Sequence, residues 1–138
     1  MKVTKKYHFY AGHRNENLDD KCFNLHGHTY YVEVSFDFTY SKKTGITMLF
    51  SDIDKVVDPI INKLDHSLLI HEKDPLLKYL HLFVKEQKTS LKVTIFNKVT
   101  SAENLAEYIY LEIENLLPIT QVKLQETTSS IVVYEPNS

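Results

Sequence analysis

The chain has 138 residues, 43% of them hydrophobic and 25% charged, which predicts one folded domain over residues 1–138. A net charge of −2 without a lysine-rich block argues against nucleic acid as a partner, and no apolar run approaches membrane-spanning length. The single cysteine excludes an intramolecular disulfide and fits a reducing cytoplasm, and Met1-Lys2-Val3-Thr4 leads into a strand pattern rather than a signal peptide.

Residues 2–12 alternate, with Val3, Lys5, Tyr7, Phe9 and Ala11 on one face and His8 and Tyr10 on the other, which predicts a strand. Residues 13–25 are polar and irregular and predict a long loop, of the kind that often carries function. Residues 28–40 alternate again: His28, Tyr30, Val32, Val34, Phe36 and Phe38 share a face. Ser41 to Gly45 reads as a turn, with Ile46–Phe50 pairing back as a hairpin.

A helix is expected from Ser51, with Ser51 and Asp54 as a capping box and Ile53, Val56, Val57, Ile60, Ile61 and Leu64 as its apolar stripe. Pro59 should kink or split it. Asp74-Pro75 opens a second helix reaching about Lys85, with Leu76, Leu77, Leu80, Phe83 and Val84 inward. Leu91–Phe96 reads as a strand. A third helix starts at Thr100-Ser101-Ala102-Glu103, buries Leu105, Ile109, Ile113 and Leu116, and ends before Pro118. Gln121–Tyr134 is strand-like, with a break at Glu126–Ser130. This order predicts an α+β fold: an antiparallel sheet with helices on one face.

The densest chemistry lies in Cys22-Phe23-Asn24-Leu25-His26-Gly27-His28. Side chains two apart on an extended chain point the same way, so His26 and His28 can close on one metal ion, with Gly27 letting the backbone bend. His13, in Ala11-Gly12-His13-Arg14, stands where the preceding strand should end. Three histidines with an open fourth position form the ligand set of a catalytic zinc site, whereas structural sites usually close with four protein ligands.

These motifs, Ala-Gly-His-Arg and then C-x3-H-G-H-x-Tyr, resemble the 6-pyruvoyl- and 6-carboxy-tetrahydropterin synthase family. Leu64-Asp65-His66, Ser101-Ala102-Glu103-Asn104-Leu105-Ala106 and Gln125-Glu126-Thr127 match the same family in the same order. The resemblance implies the tunnelling fold (T-fold), in which sheets of several subunits join into a β-barrel. It also implies a homohexamer with active sites at subunit interfaces. By the same resemblance, His13, His26 and His28 bind Zn2+, and Asp65 and His66 form a proton relay with Cys22. Glu126 and Thr127 anchor the pterin, with Glu126 also in the relay. A carboxylate suits the anchor because it accepts the ring's amino group and adjacent N–H together.

Cys22 is the candidate proton acceptor, a task that needs a nearby cation or histidine to lower its pKa. A fourth zinc ligand and a small buried hydrophobe are its other readings. Ser101 to Asn104 form a helix cap whose contact with substrate is open. His8, His71 and His81 match no motif. Leu49 and Ile70 depart from residues common in the family, and the stretch from His71 to Asn97 is longer than in compact members.

The three residues between Cys22 and His26 resemble the bacterial carboxy enzymes better than the animal pyruvoyl ones. The implied activity is a zinc-dependent lyase. It would convert 7,8-dihydroneopterin triphosphate to 6-carboxy-5,6,7,8-tetrahydropterin, acetaldehyde and triphosphate, toward queuosine. The alternatives are a 6-pyruvoyl-tetrahydropterin synthase and, from another class, a non-catalytic zinc-binding module.

Overall fold

The computed structural model describes residues 1–136; Asn137 and Ser138, the last two residues of the expected domain, lie outside the described residues. The two long alternating runs form strands β1 (Lys2–His13) and β2 (His26–Asp37). They pair antiparallel in unbroken register from Lys2 opposite Asp37 to His13 opposite His26. The loop between them holds one 3₁₀ turn, Lys21–Phe23, where Asp20 accepts the Cys22 N–H at 2.7 Å.

Ile46–Phe50 does not form the expected hairpin strand. β2 already has β1 on one edge and a later strand, β5 (Ile119–Gln125), on the other, so neither edge is free. Residues 41–46 close a turn instead, with Gly45 at φ +77°, a conformation that favours glycine.

Helix α1 spans Phe50–Leu64 and runs through Pro59 unbroken, so the proline neither ends nor splits it. Pro59 is exposed on the solvent side of the helix. The Ser51–Asp54 capping box is also not formed. Leu49 occupies the cap position without a side-chain bond. Asp54 instead accepts from Tyr7 Oη at 2.7 Å and Lys5 Nζ at 3.3 Å, tying α1 to β1.

A strand absent from the sequence reading follows: β3, Ser67–His71. It pairs parallel with β1, and β4 (Val93–Phe96) pairs parallel with β3. The sheet is therefore mixed, not antiparallel. Its order is β4-β3-β1-β2-β5-β6, with β6 at Ile131–Tyr134. The strand-like run 121–134 folds as the β5–β6 hairpin, turning at the expected break.

Helix α2 (Leu76–Gln87) joins β3 to β4 and buries none of its residues; Phe83, expected inward, is 48% exposed. Helix α3 (Ala102–Glu114) is capped by Ser101, which accepts the Asn104 N–H, and buries Leu105, Ile109 and Ile113. The helix ends at Glu114, so its period stops there: Leu116 is exposed and Leu117 is buried instead.

The core lies on one face of the sheet. Phe9, Tyr30, Val32, Val34 and Phe36 pack with Ile53, Val57, Ile61 and Leu64 of α1 and the buried side of α3. The other face leaves Lys6, His8, Tyr10 and Tyr31 exposed.

Candidate metal centre and active site

The β1–β2 register builds the site. His13 stands opposite His26 and Ala11 opposite His28, so all three imidazoles emerge on the helix-covered face at one end of the sheet. One ring nitrogen from each lies within 4.8 Å of the others. Between them, Gly12 pairs with Gly27. Gly27 does not bend the chain. It lies in regular strand, where an added Cβ would meet the Ala11 carbonyl oxygen at 3.3 Å.

Two of the rings are held by main-chain carbonyls. His13 Nδ1 donates to Thr100 O at 2.8 Å, and His26 Nδ1 donates to Asn24 O at 2.7 Å. Each bond commits Nδ1 as donor and leaves the Nε2 lone pair for a metal. Glu126 Oε1 lies 3.3 Å from His13 Nε2 and 3.2 Å from His28 Nε2. The His13 contact is close enough for an ion pair but lacks hydrogen-bond alignment, so the buried Nε2 has no hydrogen-bond partner. Lone pairs facing a carboxylate call for a cation. The donor set, the carbonyls that orient His13 and His26, and this orphaned nitrogen all fit a divalent metal such as zinc.

Contact with His13, then the charges of His28 and His26, hold the Glu126 carboxyl below the usual carboxylate range despite its burial. Burial in turn pushes the His28 imidazole down.

Cys22 does not belong to the cluster that could hold a metal. It lines a cavity of about 480 Å³ with His13, Glu126, Ser101 and Ser129. Local desolvation, then the Asp20 carboxylate, push its thiol up from the ordinary value. This is opposite to what a base needs, and the neighbouring Lys21 ammonium offsets it only in part.

Asp65 and His66 do touch: His66 Nδ1 lies 2.8 Å from Asp65 Oδ2. Asp65 Oδ1 accepts the Tyr10 N–H at 2.9 Å, and that bond, ahead of His66, lowers the Asp65 pKa. His66 has φ +54°, a strained conformation for a non-glycine residue. Its N–H donates to Tyr10 O, and Lys92 Nζ donates to the carbonyls of Asn62 and Asp65, holding the turn from behind.

His66 lines a separate cavity of about 750 Å³ with Tyr10, Leu25, His26 and His28. The two cavities share no lining residue: Glu126, which contacts His13 and His28, lines the one with Cys22, and His66 lines the other. Thr127 is exposed and lines neither; its hydroxyl accepts the Ser129 N–H across the β5–β6 turn. The contacts of Thr100 with His13 and of Lys92 with the end of α1 are not legible in the sequence, because one is made by a carbonyl and the other caps a helix distant in sequence.

The family model described as 6-pyruvoyl tetrahydropterin synthase matches residues 2–137. A 6-carboxy-5,6,7,8-tetrahydropterin synthase of Haemophilus influenzae is 31% identical, over 98% of this chain and 99% of that protein. A 6-pyruvoyl tetrahydrobiopterin synthase of Pongo abelii is also 31% identical, over 96% and 90%. The solved Caenorhabditis elegans 6-pyruvoyl tetrahydropterin synthase superposes with a TM-score of 0.69 at 22% identity, over 98% of this chain and 94% of that one. Sequence and fold agree along nearly the whole length, and the chain belongs to the 6-pyruvoyl tetrahydropterin synthase family, with its α+β T-fold.

Proposed function

We propose that the protein is a zinc-dependent carbon–carbon lyase. It would convert 7,8-dihydroneopterin triphosphate to 6-carboxy-5,6,7,8-tetrahydropterin, acetaldehyde and triphosphate, in queuosine synthesis in the cytoplasm. The observation that carries this reading is the His13/His26/His28 cluster, flanked by a charged Glu126 and opening beside Cys22. His13, His26 and His28 hold the metal, whose charge favours loss of protons from the substrate's side chain. Glu126, kept ionised by the histidines, accepts the pterin amino group and ring N–H. Thr127 stands beside it at the turn and completes the pterin end.

Cys22 takes the proton from carbon, and His66, oriented by Asp65, returns or removes it. Because His66 and Cys22 face different cavities, the relay is completed by a second copy, in a homohexamer whose active sites lie between subunits. A neighbouring imidazolium from that copy would offset the Asp20 charge at the thiol.

Mass spectrometry of the product formed from 7,8-dihydroneopterin triphosphate tests the reaction. Carboxy product with acetaldehyde is expected. A product retaining the three-carbon side chain would assign the pyruvoyl reaction, which the equal identity to the Pongo abelii protein keeps as the second reading. No turnover by the metal-loaded oligomer would leave a non-catalytic zinc-binding module.

A further inference from the structure

Cys22 sits on a loop with one short turn of regular structure, so its position depends on what ties that loop down. Within the loop, the Asn15 N–H donates to Cys22 O at 2.8 Å. At its foot, Arg14 donates two bonds to Asp74, at 2.8 and 2.7 Å, and lays its guanidinium 4.7 Å from the centre of the Phe23 ring. A second tie starts from Glu16, whose Oε1 lies 2.6 Å from Nδ1 of His71 at the end of β3.

The Glu16–His71 pair is deeply set, with side chains 9% and 13% exposed. No catalytic step asks for it. Stability does not explain it either: Glu16 Oε2 is buried with no hydrogen-bond partner among the described residues. A buried pair with an unsatisfied oxygen contributes little net stability. What it supplies is geometry. Arg14 fixes the foot of the loop; a second attachment two residues further along, at the end of β3, restrains its swing about that foot. A cavity of about 670 Å³ beside Glu16, His71 and Phe23 gives the loop room to swing once the pair is broken.

We propose that Glu16 and His71 are positioning residues for Cys22, strapping its loop to the end of β3. The catalytic consequence rests on Cys22 being the proton acceptor; the strap itself does not. The test uses the metal-loaded full chain and four readouts: kcat, KM, metal content and the rate of Cys22 alkylation by iodoacetamide. Cys22 is the chain's one cysteine, so the label reports that thiol alone.

His71→Leu and Glu16→Leu should each lower kcat about tenfold, leave KM within about twofold and speed alkylation about threefold or more, with metal content unchanged. His71→Asn, whose amide can donate from nearly the Nδ1 position, should recover most of both effects. Unchanged alkylation in the leucine variants overturns the strap. Faster alkylation with unchanged kcat overturns the positioning role. Turnover by Cys22→Ala would instead remove the base reading, leaving alkylation alone to decide the strap. Should the leucine variants not fold, Glu16→Gln carries the test: smaller changes in the same directions support the proposal, and none overturns it.

Discussion

At the scale of single residues, the centre depends on lone pairs being aimed inward. His26 is aimed by its bond to Asn24 O, and His28 by its place in the register. His26→Ala or His28→Ala should therefore remove the metal and the activity; elemental analysis showing full metal retention in both would refute the ligand set. Glu126 is the harder residue, because its Oε1 faces two of the clustered histidines while its proposed task is the pterin. Glu126→Gln should keep the metal and weaken substrate binding by about 2 kcal/mol, roughly thirtyfold in Kd, since an amide turns a donor toward a donor. Calorimetric titration with a pterin, beside metal analysis, separates the roles: metal loss would place Glu126 among the ligands. Cys22→Ala should likewise retain metal and lose turnover. Metal-depleted, unstable protein would mean that the thiol is a ligand after all.

At the scale of elements, the Arg14–Asp74 pair joins the foot of the Cys22 loop to the start of α2. Asp74 is fully buried on its side chain and also accepts the Leu76 N–H. Asp74→Ala leaves the Arg14 guanidinium mostly buried and unpaired, and should cost about 3 kcal/mol in thermal or urea unfolding. Arg14 holds the Asp74 carboxyl below its ordinary value. The pair's contribution is thus present above the unfolded value near about 4 and is lost as pH falls through the lower folded value. Melting temperatures between neutral pH and acid should drop below about pH 4, less steeply in Asp74→Asn. A flat profile would show that the pair is energetically silent. In α1, Pro59 sits exposed in a helix that tolerates it. Pro59→Ala should restore a backbone bond and raise stability by about 1 kcal/mol or more. A lower melting temperature would show that the proline's fixed φ is needed there.

At the scale of the whole molecule, the unexplained feature is a sheet covered on one face only. The face carrying Lys6, His8, Tyr10 and Tyr31 is exposed in the single chain, and His66 opens near it, away from Cys22. Light scattering at micromolar concentration should find an oligomer; a stable, active monomer would contradict shared sites. A sharper check mixes two inactive variants. Cys22→Ala and His66→Ala, co-expressed, should recover part of the activity, because some interfaces then pair an intact thiol with an intact histidine. No recovery in confirmed mixed oligomers would confine the relay to one chain.

Much of this was readable from residue order. Period-two alternation defined β1 and β2, and period 3.6 defined α1 and α3, because one face of each had to meet the core. H-G-H with His13 upstream announced the histidine cluster, since side chains two apart on a strand share a face. Other features depended on partners distant in sequence. β3 is five residues long and exists because β1 and β4 flank it; Ile46–Phe50 has strand composition, but both edges of β2, its expected partner, are taken. Asp54 reads as a cap until Tyr7 and Lys5 claim it. The separation of His66 from Cys22, the carbonyl behind His13 and the His71 strap arise where chain segments meet, and local pattern carries no record of which segments those are.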